Sequence, residues 1–399
     1  MNRLRLAAAR LRPAVLRIWT DHRIPAIAVS AIVVVAIVAT GVLIVARPGG
    51  HAAATQSAGT SVAASISQSA SPSASPSATF SPAISIGGSP TALPSGWAYS
   101  DLDGVPAAVA QAHALPLAMM ISDNAAARPQ SGISSASIVY QAYAEGGEDR
   151  YMLVFQENNA TDIGPIRSSR PDYVYWAAEY KALYAHDGGS PKALHVAIPA
   201  MANNIYDEDA SYGGSCPYHR ITARSSPQNE YTNSAVMISC AASRGYPAAY
   251  QKVPTRIFKD DIPTAQRPSS QEITIGFHTV SVGFRYDPPA DAYQWLTDGK
   301  PEADPANNNG VYAHTVVVMY QEVTLDPETD PGYQRVIIHN QGSGKATIFM
   351  EGTAITATWK KPSAAALTRF YDSSGNEIPF VRGEIFMESV PTGTEVLVK

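Results

Sequence analysis

An apolar run at residues 24–45 is the feature that most limits the structures available to the N-terminal part of the chain. Residues 24–45 contain no charged side chain. As a helix rising about 1.5 Å per residue, they would extend roughly 33 Å, which is long enough to cross a bilayer. We therefore predict a transmembrane helix over residues 24–46. The competing interpretation is a secretory signal peptide cleaved near Ala52, although the apolar core of such peptides is shorter, at about 7–15 residues.

Arginines precede this run. Residues 1–23 contain six of them and one acid, Asp21. Because basic flanks stay on the cytoplasmic side of a membrane, residues 1–23 are predicted to be a basic cytoplasmic tail. The chain would cross the cytoplasmic membrane once, with its N-terminus inside and everything beyond residue 46 outside. The membrane is the partner predicted for residues 24–46.

A segment of low complexity follows. Residues 47–96 consist mainly of Ala, Ser, Thr, Pro and Gly and carry almost no charge. Such a segment cannot bury enough apolar surface to offset the entropy lost on ordering. We predict a disordered linker that separates the membrane helix from the folded part of the chain.

The charge of the chain changes sign after this linker. Residues 1–97 contain seven arginines and one acid, a net charge of +6, and the whole chain carries −5, which leaves −11 for the remainder. Nucleic-acid-binding proteins usually present an excess of positive charge. The acidic remainder therefore predicts that nucleic acid is not a partner.

Strand and helix patterns are mixed in residues 97–255. Residues 117–122 form a short apolar run, and a glycine turn at Gly146 and Gly147 separates two strand-like segments. A helix pattern begins at Pro171, which suits the first position of a helix. We predict a mixed α/β N-terminal domain over 97–255.

Residues from 272 onward show a different pattern. Apolar and polar side chains alternate in several short runs, and glycine turns separate the runs. A period of two is the pattern of half-buried strands. We predict an all-β C-terminal domain over residues 256–399, with no sheet shared between the two domains. The predicted fold class is thus α+β, with a membrane anchor.

Two arginines and two hydroxyls occupy the segment that leads into the helix at Pro171. Free N–H groups and the positive end of the helix dipole attract anions there, and guanidinium groups bind carboxylate or phosphate. The competing interpretations are a buried arginine network and serines that cap the helix. We predict a ligand-binding site formed by Arg128, Arg167, Ser168, Ser169, Arg170 and Asn229.

Two residues are candidates for proton transfer. Glu145 lies in the glycine turn and His186 ends a strand-like segment, and both side-chain types act as acids or bases. The structural alternatives are an ion pair of Glu145 with Arg150 or Arg167, and a satisfied core histidine. The chain shows no spacing typical of metal ligands and no nucleophile motif, so we predict no metal and no cofactor.

The chain has two cysteines, Cys216 and Cys240, and no C-x-x-C pair. Outside the cell, a disulfide between them is expected. It would close a loop of about 25 residues and contribute roughly 3 kcal/mol in the chain-entropy model. Two buried free thiols are the alternative.

Eight segments together resemble the YerB family of bacterial envelope proteins. Members of that family are often lipoproteins and have paired N- and C-terminal domains of unknown function. The matching segments are 127–132, 138–140, 145–147 with Arg150, 164–170, and His186 with 188–191, followed by 341–346, 358–361 and 370–372. The resemblance implies an envelope location and a two-domain plan, and it implies no established activity.

The chain departs from the family pattern in two places. Gln228 stands where the family pattern resembles Pro-His-Asn-x-Tyr, and Ser137 and Gln141 replace acids around the Ile-Val-Tyr signature. A spanning helix also replaces the lipidated cysteine of the family. If the missing histidine were a general base, this chain would lack it, which favours a binding role over a catalytic one.

The sequence therefore predicts a membrane-anchored extracytoplasmic protein of the bacterial envelope. Its predicted ligand is an anionic cell-wall component, either a polymer or a peptide, held in an arginine-lined loop pocket. The alternative is a cell-wall-modifying hydrolase or transferase that uses Glu145 and His186. Whether the protein is an enzyme is left open at this point.

Overall fold

A computed structural model describes residues 92–211, 216–249, 253–276, 280–328 and 332–399. The predicted cytoplasmic tail, the predicted membrane helix and most of the predicted linker lie outside these residues. None of the helices in the described ranges is long and apolar enough to cross a bilayer.

The fold is mostly β, with few helices. The helices are α1 (Val109–Ala112), α2 (Pro171–Glu179), α3 (Ile198–Ala200) and α4 (Ser234–Ser243), with single turns at Ala125–Ala127, Ile133–Ser135, Ala193–Ala197 and Thr264–Gln266. The strands of the first half are β1 (Trp97–Tyr99), β2 (Pro106–Ala108), β3 (Leu117–Ser122), β4 (Ile138–Glu145), β5 (Glu148–Phe155), β6 (Leu183–His186), β7 (Tyr206–Asp209), β8 (His219–Arg220) and β9 (Glu230–Tyr231).

The second half continues with more numerous strands. They are β10 (Phe258–Lys259), β11 (Glu272–Gly276), β12 (Ser281–Asp287), β13 (Ala292–Thr297), β14 (Lys300–Pro301), β15 (Ala303–Asp304), β16 (Asn309–Gly310), β17 (Tyr312–Ala313), β18 (Thr315–Gln321), β19 (Val323–Leu325), β20 (Val336–Ile338), β21 (Gly342–Met350), β22 (Thr353–Lys361), β23 (Arg369–Tyr371), β24 (Phe380–Val381), β25 (Ile385–Pro391) and β26 (Val396–Val398). The described part of residues 256–399 is mostly β, with a helical turn at Thr264–Gln266.

One ten-stranded sheet runs through both halves, in the order β23-β22-β21-β18-β25-β4-β5-β3-β6-β7. The junction between the halves is the parallel pair β25–β4, in which Ile385 lies opposite Ile138 and Ser389 lies opposite Ala142. The prediction of two domains without a shared sheet is therefore wrong. The physical reason is that β4 and β25 are each buried on both faces, so each needs a partner on both edges as well.

The side chains of this sheet alternate between two hydrophobic layers. On one face, α2 packs against the sheet, with the Trp176 ring stacked 5.0 Å from the ring of Tyr140. On the other face lies a second sheet in the order β14-β13-β12-β11-β26. Phe386 of β25 contacts Phe284 and Trp295 of that second sheet, at centroid distances of 5.3 and 5.7 Å.

A buried ion pair joins α2 to the second half of the chain. Lys361 Nζ donates to Glu179 Oε1 at 2.6 Å, and both side chains are fully buried. Thr368 supplies two further donors to Glu179, its backbone N at 3.0 Å and its hydroxyl at 2.7 Å. Lys361 also donates to the carbonyl oxygens of Tyr175 and Ala366. Both charges are thus saturated by hydrogen bonds, which such a buried pair requires.

Two short-range sequence patterns in the first half match the structure. Strand β3 has the predicted bounds, and α2 begins at Pro171 as the sequence predicted. Helix α4 is capped by Asn233, whose side-chain oxygen accepts from Val236 N. Cys216 and Cys240 are joined by a disulfide that ties α4 to the preceding loop.

We expect Lys361→Met to destabilise the fold by about 3–5 kcal/mol, because it leaves the Glu179 carboxylate buried without its ammonium partner. Urea unfolding followed by tryptophan fluorescence measures this loss. The neighbouring exposed Lys360→Met is the matched control and should change stability by less than about 0.5 kcal/mol. Adding Glu179→Gln to Lys361→Met should restore part of the loss, and equal effects of the two lysine substitutions would contradict the assignment.

Candidate functional site

The segment that leads into α2 is held between β3 and the loop that follows β6. Arg167 N donates to the carbonyl oxygen of Met120 at 2.9 Å, and Ser169 N donates to that of Gly188 at 2.9 Å. Arg170 is the N-cap residue of α2, and no side chain caps the helix. The Ser169 hydroxyl lies 2.8 Å from the Tyr184 hydroxyl, so the capping role considered for the serines is wrong for Ser169. Ser168 is partly exposed.

Four arginines surround the carboxylate of Glu145, and we call Arg150, Arg167, Arg170 and Arg335 the arginine cluster. Arg150 Nη2 lies 2.7 Å from Glu145 Oε1, and Arg170 forms an ion pair with the same oxygen. Arg335 Nε lies 3.7 Å from Glu145 Oε2. Arg167 is an electrostatic neighbour of Arg170, and the carboxylates of Asp187, Glu145 and Glu148 partly offset its charge.

The pKa values in the arginine cluster show a local excess of positive charge. Burial, and then the neighbouring Arg150, lower the pKa of Arg170 to about 10, although Glu145 acts in the opposite direction. Burial and Arg170 lower the pKa of Arg167, and burial lowers that of Arg150. Guanidinium groups stay protonated at neutral pH even so. The guanidinium groups of the arginine cluster therefore lie close together and repel one another.

Some hydrogen-bond donors of the arginine cluster have no acceptor within the described residues. Among the described residues, the Nε atoms of Arg150, Arg167 and Arg170 are buried without a hydrogen-bond partner. Buried donors that lack an acceptor are unfavourable, and an oxyanion is the ligand that satisfies them. The cluster is thus chemically suited to hold a carboxylate or a phosphate.

Two predicted ligand-binding residues lie elsewhere. Arg128 Nε donates to Asp123 Oδ1 at 2.9 Å, and its Nη2 donates to the Asp123 carbonyl oxygen. Asn229 accepts from Arg220 Nη1 at 2.9 Å and donates to the carbonyl oxygen of Ile221. In the described residues, no hydrogen bond or ion pair joins either side chain to the arginine cluster.

The two predicted proton-transfer residues already have partners. The His186 side chain is fully buried, with Nδ1 2.8 Å from the carbonyl oxygen of Gly188 and Nε2 2.9 Å from Asp207 Oδ1. Burial alone would raise the pKa of Glu145, but Arg170 and Arg150 lower it below its usual range, so its carboxyl stays ionised. The sequence analysis considered an ion pair of Glu145 with Arg150 or Arg167. In the structure Glu145 pairs with Arg150 and with Arg170.

A carboxyl group that sequence reasoning missed lies on β9, next to the segment that leads into α2, and pairs with Arg220 at 3.1 Å. Glu230 is buried on β9, and its carbonyl oxygen accepts from Ile166 N at 2.8 Å. Burial and the nearby Asp187 raise the pKa of Glu230 to about 7. Asp187 N in turn donates to the Arg167 carbonyl oxygen. The only sequence signal was its place beside Asn229 in the Pro-Gln-Asn-Glu-Tyr segment.

One group of side chains of metal-binding type occurs in the described ranges, namely Glu208 with Cys216 and Cys240. The two sulfur atoms of this group are bonded to each other, so neither is a thiolate that could bind a metal. The group therefore offers a metal only the Glu208 carboxylate, which forms an ion pair with Arg244.

Two family models match the chain. Residues 102–247 match the N-terminal domain, and residues 273–387 match the C-terminal domain, of a protein of unknown function, DUF3048. The protein named Putative lipoprotein YerB of Bacillus subtilis (strain 168) is 26% identical over 281 residues, which cover 69% of this chain and 81% of that protein. The chain belongs to the YerB family.

The fold is shared with a solved member of the family. The crystal structure of YerB protein from Bacillus subtilis matches with a TM-score of 0.64 at 23% identity, over 75% of this chain and 99% of that chain. The family resemblance inferred from the eight segments is thus confirmed. Arg150, Arg167 and Arg170 fall in the N-terminal family domain and Arg335 in the C-terminal one, so the arginine cluster is built from both.

Asp172, in the first turn of α2, gives the stability of the fold a pH dependence. Burial raises its pKa to about 7 from 3.8, although the Ile338 backbone N–H donates to it. Between these two values the folded state holds a proton that the unfolded chain has released, so the free energy of unfolding falls as the pH rises through this range. Glu230 acts in the same direction, whereas burial lowers the pKa of His314, which acts in the opposite direction.

We therefore expect the melting temperature to rise when the pH is lowered from about 8 to about 5. Asp172→Asn keeps the oxygen that accepts from Ile338 and removes the titration, so its rise should be smaller than that of the wild type. Calorimetric scans at several pH values measure both slopes. Identical slopes for the two proteins would show that Asp172 does not titrate in this range.

Proposed function

We propose that this chain is an extracytoplasmic envelope protein, held at the bacterial cytoplasmic membrane by residues 24–46. Its function in this proposal is to recognise an anionic cell-wall component, with the arginine cluster as the binding site. The ligand presents a carboxylate or a phosphate to the start of α2. The proposal treats the protein as a binding module without catalytic activity.

The charge imbalance of the arginine cluster is the observation that carries this proposal. Glu145 is shared by Arg150 and Arg170, whose Nε atoms remain without acceptors, as does that of Arg167. One carboxylate cannot satisfy the bidentate geometry of three guanidinium groups. A second anion would relieve the repulsion that lowers the pKa of Arg170, and this relief favours binding.

The envelope location rests on two separate supports. A named relative is a putative lipoprotein, which is a class of proteins attached to membranes by lipid. This chain has an apolar run of spanning length at residues 24–45 in place of a lipidated cysteine. Both anchors would place the folded residues on the outer side of the membrane, where cell-wall material is present.

Sedimentation of full-length protein in detergent with purified cell walls tests the binding role. We expect Arg167→Ala and Arg170→Ala each to weaken binding by about 2–5 kcal/mol, because each removes a desolvated guanidinium from the anion. Arg285→Ala is the matched control, since Arg285 is exposed on the second sheet and pairs with Glu272 at 2.8 Å. Unchanged binding in both folded cluster variants would exclude these arginines from the site.

Glu145→Gln separates the binding module from the enzyme alternative. In the binding role, removal of the carboxylate leaves the arginine cluster more positive, so wall binding should be retained or strengthened. In a hydrolase or transferase that uses Glu145 and His186, bond cleavage by the wild type should vanish in Glu145→Gln and in His186→Ala. Release of soluble wall fragments, measured by mass spectrometry, distinguishes the two outcomes.

A further inference from the structure

A cavity lies at the β23 edge of the ten-stranded sheet, away from β4. It has a volume of about 500 Å³, within the range of small-ligand pockets. Apolar walls come from Pro254, Pro362 and Leu367, and the polar groups come from Ser343, Lys360, Arg369 and Tyr371. None of its lining residues belongs to the arginine cluster. Three segments that the sequence analysis singled out, 341–346, 358–361 and 370–372, meet here.

The packing of β22 fixes where Lys360 points. Its neighbours in the strand, Trp359 and Lys361, are buried, and the Trp359 indole donates to the carbonyl oxygen of Tyr320 at 3.1 Å. The indole leaves no space for a side chain at Gly344, where an added Cβ would lie 2.6 Å from it. Because side chains alternate along a strand, Lys360 must face outward, in register with Ser343 on one side and Arg369 on the other.

One positive charge of this cavity is uncompensated. Arg369 Nη1 pairs with Glu377 at 2.5 Å. The Lys360 ammonium lies 4.4 Å from the centre of the Tyr371 ring, and within the described residues no carboxylate forms an ion pair with it. The ring attracts the ammonium and thereby positions it at the cavity without neutralising it. A ligand with a single negative charge and a mainly apolar body matches this lining.

We propose that this cavity binds the terminal carboxylate of a short peptide with small apolar side chains. The carboxylate lies against the Lys360 ammonium, and the side chains pack on Pro254, Pro362 and Leu367. The Ser343 hydroxyl, which lines the cavity, is available to the peptide amide group. Tyr371 acts as a positioning residue for Lys360. This binding site is independent of the arginine cluster, so the protein would hold two separate anionic groups.

Ligand-observed NMR with the full-length protein tests this site. The probes are acetyl-Ala-Ala and its C-terminal amide, which has the same body without the charge. We expect the carboxylate form to bind at least about tenfold more tightly than the amide. Lys360→Met should remove this difference, and Lys345→Met, an exposed lysine on the neighbouring strand outside the cavity, should retain it. The L,L and D,D forms of the probe report which stereochemistry the cavity accepts.

Three results would overturn the proposal. These are equal binding of acid and amide, an unchanged preference in Lys360→Met, and tighter binding of glucuronate than of either dipeptide. Arg167→Ala should bind the dipeptide normally, which separates this cavity from the arginine cluster. Tyr371→Leu should weaken carboxylate binding and leave amide binding unchanged, because the substitution frees the ammonium from its position without removing the charge.

Discussion

Strand β25 lies between β18 and β4 and runs parallel to both. Parallel neighbours cannot be joined by a tight turn, so every connection at this point is long. Phe386 points from β25 into the layer under the second sheet, and Ile385 and Met387 point into the layer under α2. One strand thus supplies backbone partners to both halves and side chains to both cores.

Two sets of charged contacts depend on this pairing of the two halves. They are the ion pair of Glu179 with Lys361 and the arginine cluster. Glu179 ends α2 and lies on the first half of the chain, and its partner Lys361 lies at the end of β22. Arg170 stands at the other end of α2, next to Glu145, which also bridges to Arg335 of the second half. Helix α2 is therefore held at both ends by charged contacts. At one end Glu179 pairs with Lys361 and lies 3.9 Å from Arg256 Nη2, and hydrogen bonds saturate the pair. At the other end the Nε atoms of Arg150 and Arg170 have no acceptor in the part of the chain that the structure describes.

What the sequence could predict was local. The apolar run of β3, the glycine turn after Glu145 and the start of α2 at Pro171 follow from short-range chemistry. The partner of β4 could not be predicted, because an apolar strand pattern shows that both faces are buried but carries no record of which distant strand lies beside it. Arg335 was missed in the same way: it lies 190 residues after its partner Glu145 (335 − 145), and its own neighbours in sequence show no sign of a site.

Strand β25 (Ile385–Pro391) comes after every residue of the arginine cluster in the chain, so the ribosome makes it after the whole cluster. A chain that ends before β25 still contains every residue of the arginine cluster. In such a chain, β4 and β18 each have an unpaired strand edge lined by apolar side chains. Such edges are templates for pairing with other chains. Premature termination before β25 should thus yield a chain that aggregates. The two apolar edges stay open until β25 has been synthesised and has paired with both.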